Sequence, residues 1–173
     1  MNGMKRGRIA CNDSIWSPLS LEVQHKFDRV ICDPPYMKPA IDYRPVTNMF
    51  LMDQILYYPE ERIEDTWIFV RHIAATLGGS GRAVIILPMS MMTREGNAGR
   101  TRQRMIEDGY IDSVIELPGG VYPNTGVKTS ILVIEQGKPR RDVFFLDLSR
   151  GGWNGKSICE DSLIELALTH KTK

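Results

Sequence analysis

The sequence predicts an α/β fold in which a mostly parallel sheet is flanked by helices and its final strands turn antiparallel. Short apolar runs of strand length alternate with segments whose apolar residues recur at helical spacing, a pattern typical of parallel sheets with crossover helices. The connection at residues 118–128 contains glycines and prolines but has no helical period. The strands on either side of this connection are therefore expected to run antiparallel.

The predicted strands are short runs rich in Val, Ile, Leu and Phe. They are residues 7–11, 28–32, 82–87, 112–117, 129–135 and 142–146. The run at residues 82–87 is the clearest of them. Residues 28–32 are predicted to be a strand of a parallel sheet. The strand at 28–32 is therefore expected to be buried on both faces.

The strongest predicted helix covers residues 64–77, where apolar residues such as Trp67, Val70 and Ile73 recur at helical spacing. The glycine cluster at residues 78–81 is expected to end this helix in a tight turn. The other predicted segments are a loop or weak helix at 14–26, an irregular insertion at 37–61 with a short helix at 48–56, a helix at 100–108 that stops at Gly109, and a terminal helix that begins within 161–168.

Composition gives broad bounds on the protein class. The chain has 173 residues, of which 42% are hydrophobic and 25% charged, and its net charge is +1. These values are typical of one globular domain, and they give no charge bias that names a partner. Cys11, Cys32 and Cys159 show no pairing pattern, which indicates reduced thiols in a cytoplasmic protein. The N-terminus has no apolar signal core, and no apolar run is long enough to span a membrane.

The stretch FDRVICDPPYMKP (residues 27–39) contains the strongest candidate site. The predicted strand ends in Asp33, Pro34, Pro35 and Tyr36. Proline fixes φ, lacks an N–H and keeps the preceding residue out of the helical region, so the chain must leave the strand as a stiff, extended loop. In open α/β sheets, ligands bind at the carboxyl ends of strands.

This loop has the groups needed to activate a planar amine such as the amino group of adenine. The Asp33 carboxylate and the Pro34 carbonyl supply two acceptors, which draw the amine towards tetrahedral geometry and free its lone pair. Tyr36 supplies a flat face for stacking, worth about 1–3 kcal/mol. Positioning and electrostatics then carry a methyl transfer without a metal. The alternative is that these residues form only a polyproline turn after a strand.

Four stretches resemble the modification (M) subunits of type I restriction–modification systems, which are S-adenosylmethionine-dependent adenine-N6 DNA methyltransferases. They are FDRVICDPPY (27–36), FVRHIAATLGGSGRAVIILPMSMM (69–92), RTRQRMIEDGYIDSVIELPGGVYPNTGVKTSILVIE (100–135) and DVFFLDLS (142–149). The residues from Leu117 to Ser130 are the most specific part. The family more often has Asn and Phe at the positions of Asp33 and Tyr36, and both differences keep an acceptor and an aromatic ring.

The resemblance implies roles for further residues. Asp13 matches a position that contacts the adenine of S-adenosylmethionine, although it also suits a loop or helix N-cap. Tyr122 matches an aromatic that packs on a flipped target base, and its alternative role is to close a loop of glycines and prolines. Thr125 lies in the same loop. The implied partners are DNA and the specificity (S) and restriction (R) subunits of a type I system.

Other charged residues are weaker candidates for contacts with DNA. Lys38, Arg44 and Lys128 are candidates for contacts with DNA phosphates. The arginines at positions 94, 100, 102 and 104 suit either phosphate contacts or a solvated helix face. The three histidines have no ligand spacing, so no metal site is expected.

The chain departs from the family at its N-terminal side. A glycine loop after a first strand and an acidic residue after a second strand are the family's cofactor elements, and neither is found. The resemblance therefore implies a truncated catalytic domain over residues 1–173, with a partial Rossmann-like sheet of the class I methyltransferase type that begins near the family's third strand. It has an insertion at 37–61 and an extension at 147–173. Missing strands expose a sheet edge and apolar surface, so self-association is expected.

Three functions remain open from the sequence. The first is methylation of adenine N6 in DNA as a type I modification subunit, and the loop that contains Tyr122 favours it. The second is another amino-methyltransferase that acts on protein glutamine or on RNA bases, because such enzymes share the Asp-Pro-Pro-Tyr type of sequence. The third is a non-catalytic fragment that acts as an interaction module.

Overall fold

The computed structural model describes residues 11, 14, 15, 27–36, 66–121, 126–139 and 141–149. Within these residues it contains five strands and three helices. In chain order they are β1 (Phe27–Cys32), α1 (Trp67–Thr76), β2 (Leu77–Pro88), α2 (Ser90–Thr93), α3 (Asn97–Glu107), β3 (Ile111–Glu116), β4 (Thr129–Glu135) and β5 (Phe144–Asp147). The predictions for residues 7–11, 14–26, 37–61 and 161–168 fall wholly or mainly outside the described residues. None of the described helices is long and apolar enough to cross a membrane.

The five strands form one mixed sheet in the order β1-β2-β4-β3-β5. Strand β1 is parallel to β2, and β4 is antiparallel to both of its neighbours, as predicted for the strands on either side of residues 118–128. The last strand differs from the prediction, because β5 runs parallel to β3. Strands β4 and β5 do run in opposite directions, but β3 lies between them, so β5 pairs with a strand of its own direction.

Several strand ends lie together at one edge of the sheet, where ligands bind in α/β folds. Strands β1, β2 and β3 all end there, at Cys32, Pro88 and Glu116. Strand β4 begins there, because Thr129 pairs with Pro88 and Ser130 pairs with Glu116. This edge is called the upper edge below.

The glycine cluster after α1 lies within β2 but forms an irregularity in its pairing with β1. Phe27 pairs with Leu77 and Arg29 pairs with Arg82, so residues 78–81 lie opposite Asp28 alone. Helix α1 ends at Thr76, because Leu77 already has the extended ψ of 139°. Strand β2 then begins at Leu77 and includes all of residues 78–81. Glycine is needed at position 81 because a Cβ atom there would lie 2.6 Å from the backbone oxygen of Phe27. The cluster therefore lets β2 approach β1 closely.

The hydrophobic core lies on one face of the sheet, beneath the three helices. Side chains from α1, α2, α3, β2, β3 and β4 form a single buried cluster, and Val30 and Cys32 of β1 pack against it. The prediction that residues 28–32 are buried on both faces is wrong, because Ile31 is 86% exposed. The described helices pack on the face that Val30 and Cys32 share, so the alternate side chains of β1 are left uncovered.

Candidate active site

The Asp-Pro-Pro-Tyr loop leaves β1 at the upper edge of the sheet, as predicted. Strand β1 ends at Cys32, and residues 33–36 form neither helix nor strand. Pro34 is buried, Tyr36 is partly buried, and Asp33 and Pro35 are exposed. The loop is thus anchored from inside by one proline ring while the Asp33 carboxylate faces solvent.

Two hydrogen bonds, one of normal length and one long, constrain the conformation of this loop. The Tyr36 hydroxyl donates to Oδ1 of Asp33 at 2.8 Å, across the two prolines. The Thr66 hydroxyl donates to the carbonyl oxygen of Pro35 at 3.4 Å. Asp33, Pro35 and Tyr36 are therefore tied both to one another and to the residue that precedes α1.

Thr66 is a contributor that sequence reasoning missed. It is 3% exposed and directly precedes α1, where a threonine side chain usually caps the helix. Its hydroxyl makes no such cap bond and contacts the diproline instead. Its place before a helix gave no sign of this contact, because residues 35 and 66 are far apart in the chain.

The loop predicted to hold Tyr122 and Thr125 begins and ends at the upper edge. The Leu117 amide donates to the Thr129 carbonyl at 3.0 Å, and the Met89 amide donates to the Lys128 carbonyl at 2.8 Å. Both ends of the loop are thereby fixed at the edge from which Asp33 and Tyr36 project. Tyr122 and Thr125 themselves lie outside the described residues, so their contact with a base stays a prediction.

The charges near this edge are mostly exposed. The Lys128 side chain is 65% exposed, and its ammonium group lies 3.9 Å from a carboxylate oxygen of Glu116. Burial, and secondarily the charge of Asp33, raise the pKa of the Cys32 thiol. Cys32 therefore stays protonated at neutral pH, and the structure gives it no character of an activated nucleophile.

One of the four arginines weighed for phosphate contacts has a structural role. The Arg102 guanidinium donates to the carbonyl oxygens of Met91 at 3.2 Å and Arg94 at 3.1 Å, and so holds α2 against α3. Arg100 donates to the side-chain oxygen of Asn97 within its own helix. These contacts favour the alternative of a helix surface for this group of residues.

The described residues include the loop expected to bind the methyl acceptor, but not the loop expected to bind the methyl donor. The cofactor loop expected for S-adenosylmethionine follows a strand and opens a helix. The glycine cluster at residues 78–81 instead lies within β2, where it packs against β1. Residues 78–81 are therefore not the site that binds S-adenosylmethionine. Among the described residues, no group of three or more His, Cys, Asp or Glu side chains could hold a metal ion.

Three further predicted contacts lie outside the described residues. The sequence predicts that Asp13 contacts the cofactor and that Lys38 and Arg44 contact DNA phosphates. All three stay predictions.

A family model described as N-6 DNA Methylase matches residues 2–160 of the chain. The methylase subunit of the type I restriction enzyme MpnII from Mycoplasma pneumoniae is 29% identical over 128 residues, which are 72% of this chain and 23% of that protein. The corresponding EcoEI subunit from Escherichia coli is 32% identical over 81 residues, which are 46% of this chain and 16% of that protein. The chain thus spans about a quarter or less of the length of these relatives.

Solved structures show the same fold. The methyltransferase subunit of a type I restriction-modification system from Streptococcus thermophilus superposes with a TM-score of 0.74 at 24% identity. The superposition covers 92% of this chain and 34% of that chain. A protein from Listeria monocytogenes described as a putative class I S-adenosylmethionine-dependent methyltransferase gives a TM-score of 0.57 at 20% identity, over 82% of this chain and 41% of that chain. At these identities the likeness concerns the fold alone.

Proposed function

Because the chain belongs to the N-6 DNA methylase family, we propose that it supplies the methyl-acceptor site of an enzyme that methylates adenine N6 in DNA. The enzyme is the modification subunit of a type I restriction–modification system, and S-adenosylmethionine is its methyl donor. The observation that carries this proposal is the Asp33–Tyr36 loop, a stiff and anchored segment at the upper edge of an α/β sheet.

The proposed chemistry rests on hydrogen-bond acceptors. The N6 amine of adenine is conjugated with its ring, and its lone pair is therefore a poor nucleophile. Asp33 accepts one N–H through its carboxylate, and the Pro34 carbonyl accepts the other, so the lone pair is released towards the methyl group. The N–C bond forms while the bond from that carbon to the sulfonium sulfur breaks, and the sulfur keeps the electron pair. The surplus proton on N6 then leaves to solvent.

The proposed reaction also requires that the target adenine be extruded from the DNA duplex. An adenine within a duplex must leave the base stack before its amine can reach Asp33. Tyr36 and Tyr122 are proposed to hold the extruded base, with Thr125 beside it. Lys38, Arg44 and the exposed Lys128 are proposed to contact phosphates. The fixed ends of the loop around Tyr122, at the same edge as Tyr36, support this arrangement.

The proposed partners of the chain are inferred from the descriptions of its relatives. The similar curated proteins are methylase subunits of type I restriction enzymes, and one solved relative, with a TM-score of 0.56, is described in terms of the complex assembly of a type I system. DNA and the specificity and restriction subunits are accordingly the proposed partners, in the cytoplasm. Methylation of protein glutamine or RNA is the less favoured alternative, because those relatives are subunits of restriction enzymes.

The test uses a complete modification enzyme that contains this chain, isotope-labelled S-adenosylmethionine and duplex DNA. Labelled N6-methyladenine is expected in the DNA, and Asp33→Ala is expected to abolish it. Asp33→Asn keeps an acceptor oxygen and is expected to retain measurable turnover. If the Asn variant is as inactive as the Ala variant, Asp33 acts as a proton acceptor and the proposed role is wrong. In parallel reactions with RNA or with protein in place of DNA, label found in one of these and not in DNA would identify a different substrate class.

A further inference from the structure

The hydroxyl of Tyr36 has a role that stacking of a base does not explain. Stacking requires only the ring face, which phenylalanine also offers. In this chain the hydroxyl donates to Oδ1 of Asp33 at 2.8 Å, which is a normal length for an O–H···O bond. The bond joins the two side chains that flank the diproline, and both of them belong to the proposed acceptor site.

The surroundings of this bond limit how far it can move. Pro34 is buried and Pro35 is held through its carbonyl by the Thr66 hydroxyl at 3.4 Å. Thr66 is itself 3% exposed and precedes a helix whose side chains lie in the core. The backbone from which Asp33 and Tyr36 project is therefore constrained, and the bond from the Tyr36 hydroxyl is one of the contacts that set the direction of the Asp33 carboxylate.

The direction of this carboxylate matters because Asp33 is exposed. An exposed carboxylate samples several rotamers, and only some of them point an oxygen at a bound amine. A carboxylate has about four acceptor sites on its two oxygens, so Oδ1 can accept from Tyr36 while Oδ2 accepts from another donor. A phenol O–H lies near the plane of its ring, so this bond leaves the ring face free for stacking.

We propose that the Tyr36 hydroxyl is a positioning group that acts through Asp33, by holding its carboxylate so that Oδ2 faces the amine of the methyl acceptor. This inference rests on the proposed function. It assigns two separate roles to one residue: the ring of Tyr36 binds the base, and the hydroxyl orients the acceptor.

A first experiment tests the bond without any turnover. Tyrosine labelled with ¹³C at Cζ is introduced into the 173-residue chain, and the Tyr36 resonance is identified by its loss in Tyr36→Phe. Removing the acceptor with Asp33→Ala is expected to move this resonance. The resonance of Tyr110, which precedes β3 at the opposite end of that strand from the upper edge, is expected to stay in place. A Tyr36 resonance that is unchanged by Asp33→Ala would overturn the proposal.

A second experiment separates the two roles by kinetics in the complete enzyme. Tyr36→Phe keeps the ring, so the KM for DNA is expected to stay within about twofold, while kcat falls by roughly tenfold for the loss of one positioning hydrogen bond. Tyr36→Ala is expected to raise KM as well. Tyr110→Phe makes the same chemical change far from the site and is the matched control.

The outcomes distinguish this inference from the function on which it rests. If Tyr36→Phe keeps full kcat while Asp33→Ala is inactive, the hydroxyl has no positioning role but the acceptor function stands. If Asp33→Ala remains active, the proposed function itself fails. A rise in KM alone in Tyr36→Phe would place the hydroxyl in substrate binding and would also overturn the proposal.

Discussion

The two faces of the sheet carry the same kinds of side chain but have very different exposure. On the core face, beneath the helices, Ala83, Ile85, Leu87, Leu132 and Ile134 are all 0% exposed. On the opposite face, called the open face below, six aliphatic side chains are only partly buried. They are Val84, Ile86, Ile115, Ile131, Val133 and Leu146. A single strand such as β2 therefore alternates between buried and partly exposed aliphatic residues.

This difference shows what an apolar run can and cannot predict. Aliphatic residues at consecutive positions indicate a strand suited to cover on both faces. The described helices cover only one face, and the pattern in the sequence does not tell which element supplies the second cover. The open face is aliphatic and is not covered by any described helix, and this supports the expectation of self-association.

The largest expected change in the free energy of unfolding is found when isoleucine is replaced by alanine on the core face of β4 and compared with the same replacement on the open face. Ile134→Ala removes a side chain that is 0% exposed and is expected to lower the free energy of unfolding by about 2–5 kcal/mol. Ile131→Ala removes the same atoms from the open face and is expected to cost less than half as much. Denaturation by urea, with an unchanged m-value, is the measurement.

Equal costs for the two substitutions would contradict the comparison. They would mean that the open face is covered in solution as fully as the core face. Repeating the Ile131→Ala measurement at several protein concentrations then tells whether a second copy provides that cover, because association makes apparent stability depend on concentration.

Strand β4 shows how much of the fold could be predicted from sequence. Residues 129–135 form a strand with the predicted bounds, because the aliphatic run is long and bounded by clear turn residues. The direction of β4 also followed from the short connection at residues 118–128. The partner order, with β4 between β2 and β3, could not be predicted, since apolar pattern says nothing about which strands pair.

The errors have a common physical cause in tertiary contacts. The glycines at 78–81 have the local preference of a turn, but they lie within β2 as an irregularity in its pairing with β1, where Gly81 approaches Phe27. The exposure of Ile31 depends on which helices cover β1. In the site, the sequence located Asp33 and Tyr36 correctly at a strand end. The bond between their side chains and the support from Thr66 depend on side-chain geometry, which no pattern encodes.

A smaller effect is expected where β2 meets β1. Gly81→Ala places a Cβ atom 2.6 Å from the backbone oxygen of Phe27 and 2.9 Å from the backbone nitrogen of Gly78, so the backbone of β2 must shift relative to both, at a cost of about 1–3 kcal/mol. Gly79→Ala is the matched control in the same strand, because a Cβ atom there has no heavy atom within 4 Å. If both variants unfold at the same denaturant concentration, the backbone around Gly81 is not packed as closely as described.

The smallest effect on stability is expected at Ile31. This side chain is 86% exposed, so Ile31→Lys is expected to change the free energy of unfolding by no more than about 0.5 kcal/mol. Self-association of the chain, measured by sedimentation velocity, is expected to fall in this variant. Phe145→Lys alters a residue that is 70% exposed but belongs to the side of the sheet shared with Val114, so association is expected to persist. A wild-type chain that stays monomeric at all concentrations would show that the open face does not attract a second copy.

The central claim is that the described residues build the acceptor side of a methyltransferase site and not its donor side. Titration calorimetry of the 173-residue chain with S-adenosylmethionine tests this claim most directly. A complete modification enzyme that contains the chain serves as the positive control. Because the glycine cluster lies within β2 and not in a loop that opens a helix, the isolated chain is expected to show no saturable binding below about 1 mM. Saturable binding with a low-micromolar dissociation constant would contradict the account, since the chain would then contain the donor site as well.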